Sequence, residues 1–263
     1  MAEFRGTDFQ IAVQKRMQAR HIWIKDAPDI ANGGRVLNII SPQITGWDRI
    51  AQFMEQDGVL ALIAQPRATI WQDVAAAFGD TYDMPAWDVY TSDAATVTQT
   101  CRAYLAAHQL PEGWSVTCHD CPDDGTVNAV QTLNLHTGVA PYPAFYTRSD
   151  CVATITGCVW NDAGDLVATS SLNARYHPAS RLSGYVFKGA TSVHPDARGH
   201  GLGKFVNAHV LLTSHARMGW DFALSQVAAS NIASQKTIIG AGFARAADLV
   251  TIGLVRKGEV FTR

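Results

Sequence analysis

The stretch VHPDARGHGLGKF, residues 193–205, decides how this chain is read. It joins a strand-like run ending in TSV to an apolar, helix-like run. One glycine is enough for a structural turn. Here Gly199, Gly201 and Gly203 follow Arg198 within six residues. Glycine tolerates left-handed backbone and carries no side chain to hold a ligand away. The first N–H groups of the following helix have no intrahelical partner and lie at the positive end of its dipole. Such a turn cradles a phosphate or diphosphate, with Arg198 and Lys204 adding charge at the rim.

Two better-known glycine loops are excluded by spacing. The dinucleotide fingerprint needs G-x-G-x-x-G with an acidic residue about 20 positions on. Here the glycines alternate, and Asp221 opens the next strand rather than closing it. A Walker loop needs G-K-[ST], but Phe205 follows Gly203-Lys204.

R-x-x-G-x-G, written by Arg198, Gly201 and Gly203, resembles the pyrophosphate loop of the GCN5-related N-acetyltransferase (GNAT) family. A second segment, NIASQKTIIGAGF at 231–243, is similar to that family's N-x-x-A/S…G-F signature, with Asn231, Ser234, Gly242 and Phe243 in register. The strand and helix order from about 112 to 256 also looks like the family fold. The resemblance implies an α/β (α+β) domain over 111–263 with a mixed, mostly antiparallel central sheet flanked by helices. It implies acetyl-CoA or another acyl-CoA as co-substrate and no metal. The diphosphate would rest on the backbone of Gly199, His200, Gly201, Leu202, Gly203 and Lys204. The pantetheine arm would pair with Thr191, Ser192 and Val193 and take a hydrogen bond from Asn231. The Val193 N–H would serve the oxyanion.

Three positions depart from the family pattern. A tyrosine is customary seven residues after the motif asparagine, and this chain has Ile238. Glutamates are customary, in different branches, at positions occupied by Gln226 and Phe187. A thiol with a pKa near 8.5 leaves readily without an acid. The missing base matters more for a lysine-like amine (about 10.4) than for an α-amine (about 7.7–8.0). Substitute bases considered are His177 and Tyr176 at a strand end, Tyr185 on the strand entering the loop, and Asp150. Ser234 is the candidate proton donor. His209 and His215 sit on the helix after the loop, which has an apolar stripe of Leu202, Phe205, Val206, Leu212 and Ala216 near 3.6 spacing; both histidines read as structural or solvated.

Upstream, strands and helices alternate. GWDRIAQFMEQDG places Ile50, Phe53 and Met54 at helical spacing and stops at Gly58. VLALIAQP reads as a buried strand, TIWQDVAAAFG as a helix, AWDVYTSD as a strand, and DAATVTQTCRAYLAAHQ as a helix capped by Asp93. Residues 1–110 therefore read as a smaller N-terminal α/β domain, with LPEGW at 110–114 as the boundary. Tandem family members suggest that it is a degenerate copy of the same fold. It has no R-x-x-G-x-G, so its expected role is to wall the acceptor site.

The bulk numbers agree. The chain has 263 residues, 47% hydrophobic and 17% charged, so it can bury a sizeable core. A formal charge of -2 with no basic run excludes the footprint of a nucleic-acid binder. No apolar run approaches a membrane span. The polar start MAEFRGTDFQ lacks a signal-peptide core, so a cytoplasmic location is expected. Five scattered cysteines argue against a disulfide framework, and CHDC at 118–121 has no second pair to complete a metal site. The expected activity is transfer of an acyl group, acetyl first, to a primary amine of a small molecule or peptide. The alternative is a non-catalytic acyl-CoA-binding module. A homodimer stays open.

Overall fold

The computed structural model describes residues 3–259. Helix α1 (Asp8–Ile24) starts at a reciprocal cap between Thr7 and Gln10. A hairpin of β1 (Ile30–Asn32) and β2 (Leu37–Ile39) follows, then a short turn of helix, α2 (Pro42–Thr45). Helix α3 (Trp47–Asp57) buries Ile50, Phe53 and Met54, as their spacing requires, and ends at Gly58. Strand β3 (Val59–Pro66) is buried over seven consecutive residues, the mark of a strand covered on both faces. Next come α4 (Ile70–Phe78), β4 (Tyr82–Asp83), β5 (Ala86–Asp93) and α5 (Ala94–Ala107). The Asp93 carboxylate accepts from Thr96 N at 2.8 Å and fixes the start of α5.

The second half runs β6 (Ser115–His119), α6 (Asp124–His136), α7 (Ala144–Thr147), β7 (Thr154–Trp160), β8 (Leu166–Asn173) and β9 (Tyr185–Val193). It closes with α8 (Leu202–Met218), β10 (Phe222–Val227), α9 (Ile232–Ile239) and β11 (Ala244–Arg256). All the strands form one sheet in the order β1-β2-β3-β11-β5-β10-β9-β8-β7-β6, with β4 on β11. Among the described residues only β2–β3 and β9–β10 pair in parallel, so the sheet is mixed and mostly antiparallel. Strand β5 lies between β10 and β11. The 110/111 boundary falls just after α5, whose Val97 and Cys101 share a core cluster with Val186, Ala208 and Leu211.

Helix α8 crosses β6, β7 and β8. A Cβ at Gly157 would stand 2.4 Å from Val210 Cγ2, so the absent side chain lets the helix sit down on β7. Leu202, Phe205 and Val206 are buried, and the stripe continues through Val210, Leu211 and Ser214. Ala216, expected on that stripe, is exposed: toward the last turns the buried face shifts to Val210, Leu211 and Ser214. Each large buried side chain contributes roughly 1.5–3 kcal/mol, which holds the N-terminus of α8 against the end of β9.

Candidate active site

The site begins where β9 leaves β10. Their parallel pairing runs from Phe222↔Tyr185 to Ser225↔Lys188 and stops there, although β9 continues to Val193 and β10 to Val227. The cause is local. Ser170 of β8 has no single partner: Thr169 pairs with Ser192, and Ser171 with Gly189. Ala190 sits at φ 50 in this bulge, a conformation costing an L-residue roughly 1–2 kcal/mol. The extra residue bends β9 away and opens a wedge-shaped gap.

Beyond the gap lies the glycine loop. Gly199 and Gly201 have φ of 88° and 72°. Gly201 is the N-cap of α8 and supplies no side-chain cap. Its carbonyl accepts from Phe205 N at 3.0 Å, which leaves the N–H groups of Leu202, Gly203 and Lys204 outside the helical ladder. A Cβ at Gly201 would meet Tyr104 Oη at 2.9 Å. That hydroxyl, on α5, donates to Gly201 O at 3.3 Å and braces the loop from the N-terminal half. Arg198 and His200 are exposed beside it. The Leu202 side chain is core, so this residue can offer only its backbone.

Among the strand positions, His194 N donates to Val167 O at 2.8 Å. Antiparallel ladders alternate, so the Val193 N–H is directed away from β8, toward the gap. The Ser192 hydroxyl is committed to α6: it donates to Asn134 Oδ1 at 2.7 Å and accepts from Thr137 Oγ1 at 2.8 Å. Asn231 caps α9, with its Oδ1 accepting from Ser234 N at 3.1 Å. That leaves its Nδ2 as the atom free to meet an arm in the gap.

A cavity of about 230 Å³ fills the gap. Thr191, Ser234 and the three departing positions, Phe187, Gln226 and Ile238, all line it. So do Arg35, Asn38, Ala61 and Trp87, which makes the N-terminal half one wall. His177 and Tyr185 are not in this lining. His177 closes a turn, its Nδ1 accepting from Ala179 N at 3.0 Å, and it faces a second cavity near His21 and Lys25. Tyr185 stacks on Phe222 with ring centroids 5.0 Å apart, at the far end of β9. Tyr176 lines the second cavity with His177. Asp150 lies 3.6 Å from the Arg148 guanidinium. Of the sequence candidates, Thr191 and Ser234 line the cavity. Val193, Asn231 and residues 198–204 are not in its lining, although a Cβ at Gly203 would stand 3.6 Å from Val193 Cγ2 and 3.8 Å from Oγ1 of the lining residue Thr237, and the strand-end bases also lie outside it.

Sequence reasoning missed Lys188. It is fully buried in β9 at the mouth of the gap and lines the cavity. Its Nζ donates to Ser170 Oγ, to Thr191 Oγ1 at 3.1 Å and to Gly189 O at 3.3 Å. Asn207 Oδ1 ties the two hydroxyls together. No carboxylate compensates the charge, and burial pushes the lysine down to about 7. The available signal was a lone charge in the apolar run YVFKGATSV. Among the described residues no group of three or more His, Cys, Asp or Glu is placed to hold a metal, and none of the helices is long and apolar enough to cross a membrane.

Comparison with solved structures now adds a name for this arrangement. A GCN5-related N-acetyltransferase from Kribbella flavida superposes with a TM-score of 0.57 at 11% identity, covering 94% of this chain and 96% of that one. The chain has the GNAT fold. A GCN5-related N-acetyltransferase-like protein from Streptococcus suis gives 0.53 at 14% identity, over 92% and 98% of the two chains. A tandem GNAT protein from the clavulanic acid biosynthesis pathway gives 0.53 at 16%, over 87% and 78%. No family model and no curated protein matches the sequence. In the GNAT fold of this chain, then, the parted strands and the uncapped glycine loop stand side by side.

Proposed function

We propose that the protein is an acyl-CoA-dependent N-acyltransferase that moves an acyl group, acetyl first among candidates, onto a primary amine. The observation that carries this reading is the cavity between β9 and β10 with the uncapped N-terminus of α8 next to it, a Cβ at Gly203 lying 3.8 Å from Oγ1 of the lining residue Thr237. The residues present fit CoA: the Leu202, Gly203 and Lys204 N–H groups with Arg198 would hold the diphosphate, and the free edge of β9 would hold the arm. When bound, the thioester supplies the activated acyl group.

The chain's own contribution is orientation and proton handling. The Val193 N–H is a fixed donor directed into the gap, of the kind that stabilises developing negative charge. Lys188 Nζ, pushed down to about 7 by burial, is partly neutral near neutral pH and can take the proton that the acceptor amine must lose. Thr191 Oγ1, 3.1 Å from Nζ and itself in the cavity lining, is the relay. A base whose pKa lies near the working pH is the most effective. Phe187, Gln226 and Ile238 cannot exchange protons and shape the wall.

The test pairs calorimetric CoA binding with thiol release from acetyl-CoA over an amine panel. Binding with turnover, and a kcat/KM inflection near pH 7 that is lost in Lys188→Met for every acceptor, supports the enzyme. Three apolar or amide residues at the customary proton-transfer positions favour a second reading, an acyl-CoA sensor; binding without turnover of any amine would establish it. An inflection that follows each acceptor's own pKa would remove Lys188 from the mechanism.

A further inference from the structure

The cavity lining holds two arginines, Arg35 and Arg175, beside Lys188, and no aspartate or glutamate. Arg16, Arg20, Arg67, Arg148, Arg217 and Arg245 all lie within ion-pair distance of carboxylates. Among the described residues neither Arg35 nor Arg175 does. Arg175 follows the end of β8 and lays its guanidinium on the Phe187 ring, 3.5 Å from the centroid. With the Asn38 carboxamide oxygen turned toward Gly33 N, Arg175 Nη1 donates to it at 3.1 Å. Arg35 stacks on Tyr142 at 4.3 Å and donates to Ala140 O.

Unpaired donors point the same way. The buried side-chain atoms of the lining that lack a partner are Arg35 Nε, Arg175 Nε, Asn207 Nδ2 and Gln226 Nε2. All four are nitrogens, and none is an acceptor. A buried donor without an acceptor costs about 1–3 kcal/mol, and a buried cation without an anion costs more. Such a lining is complementary to an anionic, acceptor-rich ligand. Phe187 and Lys188 are consecutive on β9, so their side chains leave opposite faces of the strand. A ligand crossing the gap would meet the Arg175 fork on one face and the Lys188 network on the other.

Building on the acyltransferase reading, we propose that the acceptor is a small amino acid whose carboxylate is held by the Arg175 guanidinium, with Arg35 as the second cation. The planar fork suits a planar carboxylate, which it can grip with two parallel hydrogen bonds. The cavity of about 230 Å³ is below the ~300–1,000 Å³ range of drug-sized ligands and shares the gap with the CoA arm, which favours a small acid over a peptide. The acceptor's amine is then oriented toward the gap by an anchor at its other end, and Arg175 sets specificity rather than taking part in the chemistry.

The test is calorimetric titration of the full chain, with and without saturating CoA. The probes are glycine, β-alanine, 4-aminobutyrate and the common amino acids, each beside its carboxamide, together with phosphoethanolamine. At least one acid should bind, and its carboxamide should bind roughly 10- to 150-fold more weakly, the range for a hydrogen bond to a charged group. Arg175→Met should erase that ratio by weakening the acid and leaving the carboxamide unchanged. Arg175→Lys, which keeps charge but not the fork, should recover part of it, and it carries the test if the Met variant does not fold. Equal affinity for acid and carboxamide would overturn the proposal, as would tighter binding of phosphoethanolamine or no binding of any probe. Failure of CoA itself to bind would remove the acyl-CoA reading; an Arg175-dependent preference for the acid, measured without CoA, would still establish the carboxylate site.

Discussion

Replacing Lys188 by methionine keeps an unbranched stem and removes the charge. In the folded chain burial brings this lysine from an ordinary 10.5 to about 7. Cys101, the titratable group that acts on it from α5, is pushed up to about 12 by its own burial and stays neutral. Below about pH 7 both folded and unfolded chains carry the lysine proton, and the folded state bears the full cost of a buried cation. Between about 7 and 10.5 the unfolded chain keeps a proton that the folded chain has shed, so unfolding becomes more costly as pH rises. Above that window the effect is complete. At about 1.36 kcal/mol per pKa unit, the rise across the window is on the order of 5 kcal/mol. Methionine has no such dependence. Urea denaturation of both proteins from about pH 6.5 to 10 should show Lys188→Met the more stable at the acid end, with the difference shrinking by several kcal/mol toward the alkaline end. A difference that stays constant across that range, or a wild type that gains on the mutant toward acid, would refute a neutral buried lysine. Loss of turnover in the stabilised variant would mark Lys188 as a residue retained for activity at the expense of stability.

Other substitutions test other parts of the structure. Gly201→Val forces a β-branched residue into φ 72° with its Cβ near Tyr104 Oη; it should cost about 1–2 kcal/mol and abolish CoA binding by calorimetry in the folded variant. Gly157→Ala should destabilise by about 1–3 kcal/mol in denaturant, because its methyl would overlap Val210; a neutral result would mean that α8 does not sit on β7 as described. Asp57→Ala strands Arg16 and Arg20, which meet this fully buried carboxylate, and should cost roughly 3–5 kcal/mol and lower the thermal midpoint accordingly.

The glycine loop was legible because its demands are local: positive φ, an open helix end and small residues are written in consecutive letters. The caps at Asp93 and Gly58 were legible for the same reason. The bulge that opens the gap was missed although Gly189 interrupts the strand run, because the left-handed residue is its neighbour Ala190 and not the glycine itself. Lys188 carried one signal, its place as the lone charge in an apolar run, and Arg175 carried none; whether either cation is buried or paired is decided by β8, α8 and the N-terminal half. His177 and Tyr185 were candidates by residue type, and turn geometry and strand register carry them elsewhere. The existence of β5 could be read from its residues, but its place between β10 and β11 could not, because both neighbours lie more than a hundred residues downstream.

That placement constrains how the molecule is made. Strand β11 pairs with β3 on one side and β5 on the other, so the seam between the two ends of the chain closes only when residue 256 has left the ribosome. At ~5–20 residues per second, β5 waits roughly 8–30 s for that neighbour. During this interval β3 and β5 each present an open edge, and β3 is apolar almost throughout. Open apolar edges invite pairing with other chains. A nascent or truncated chain lacking β11 should therefore depend on a chaperone to stay monomeric, and β11 acts as the latch that ends that dependence.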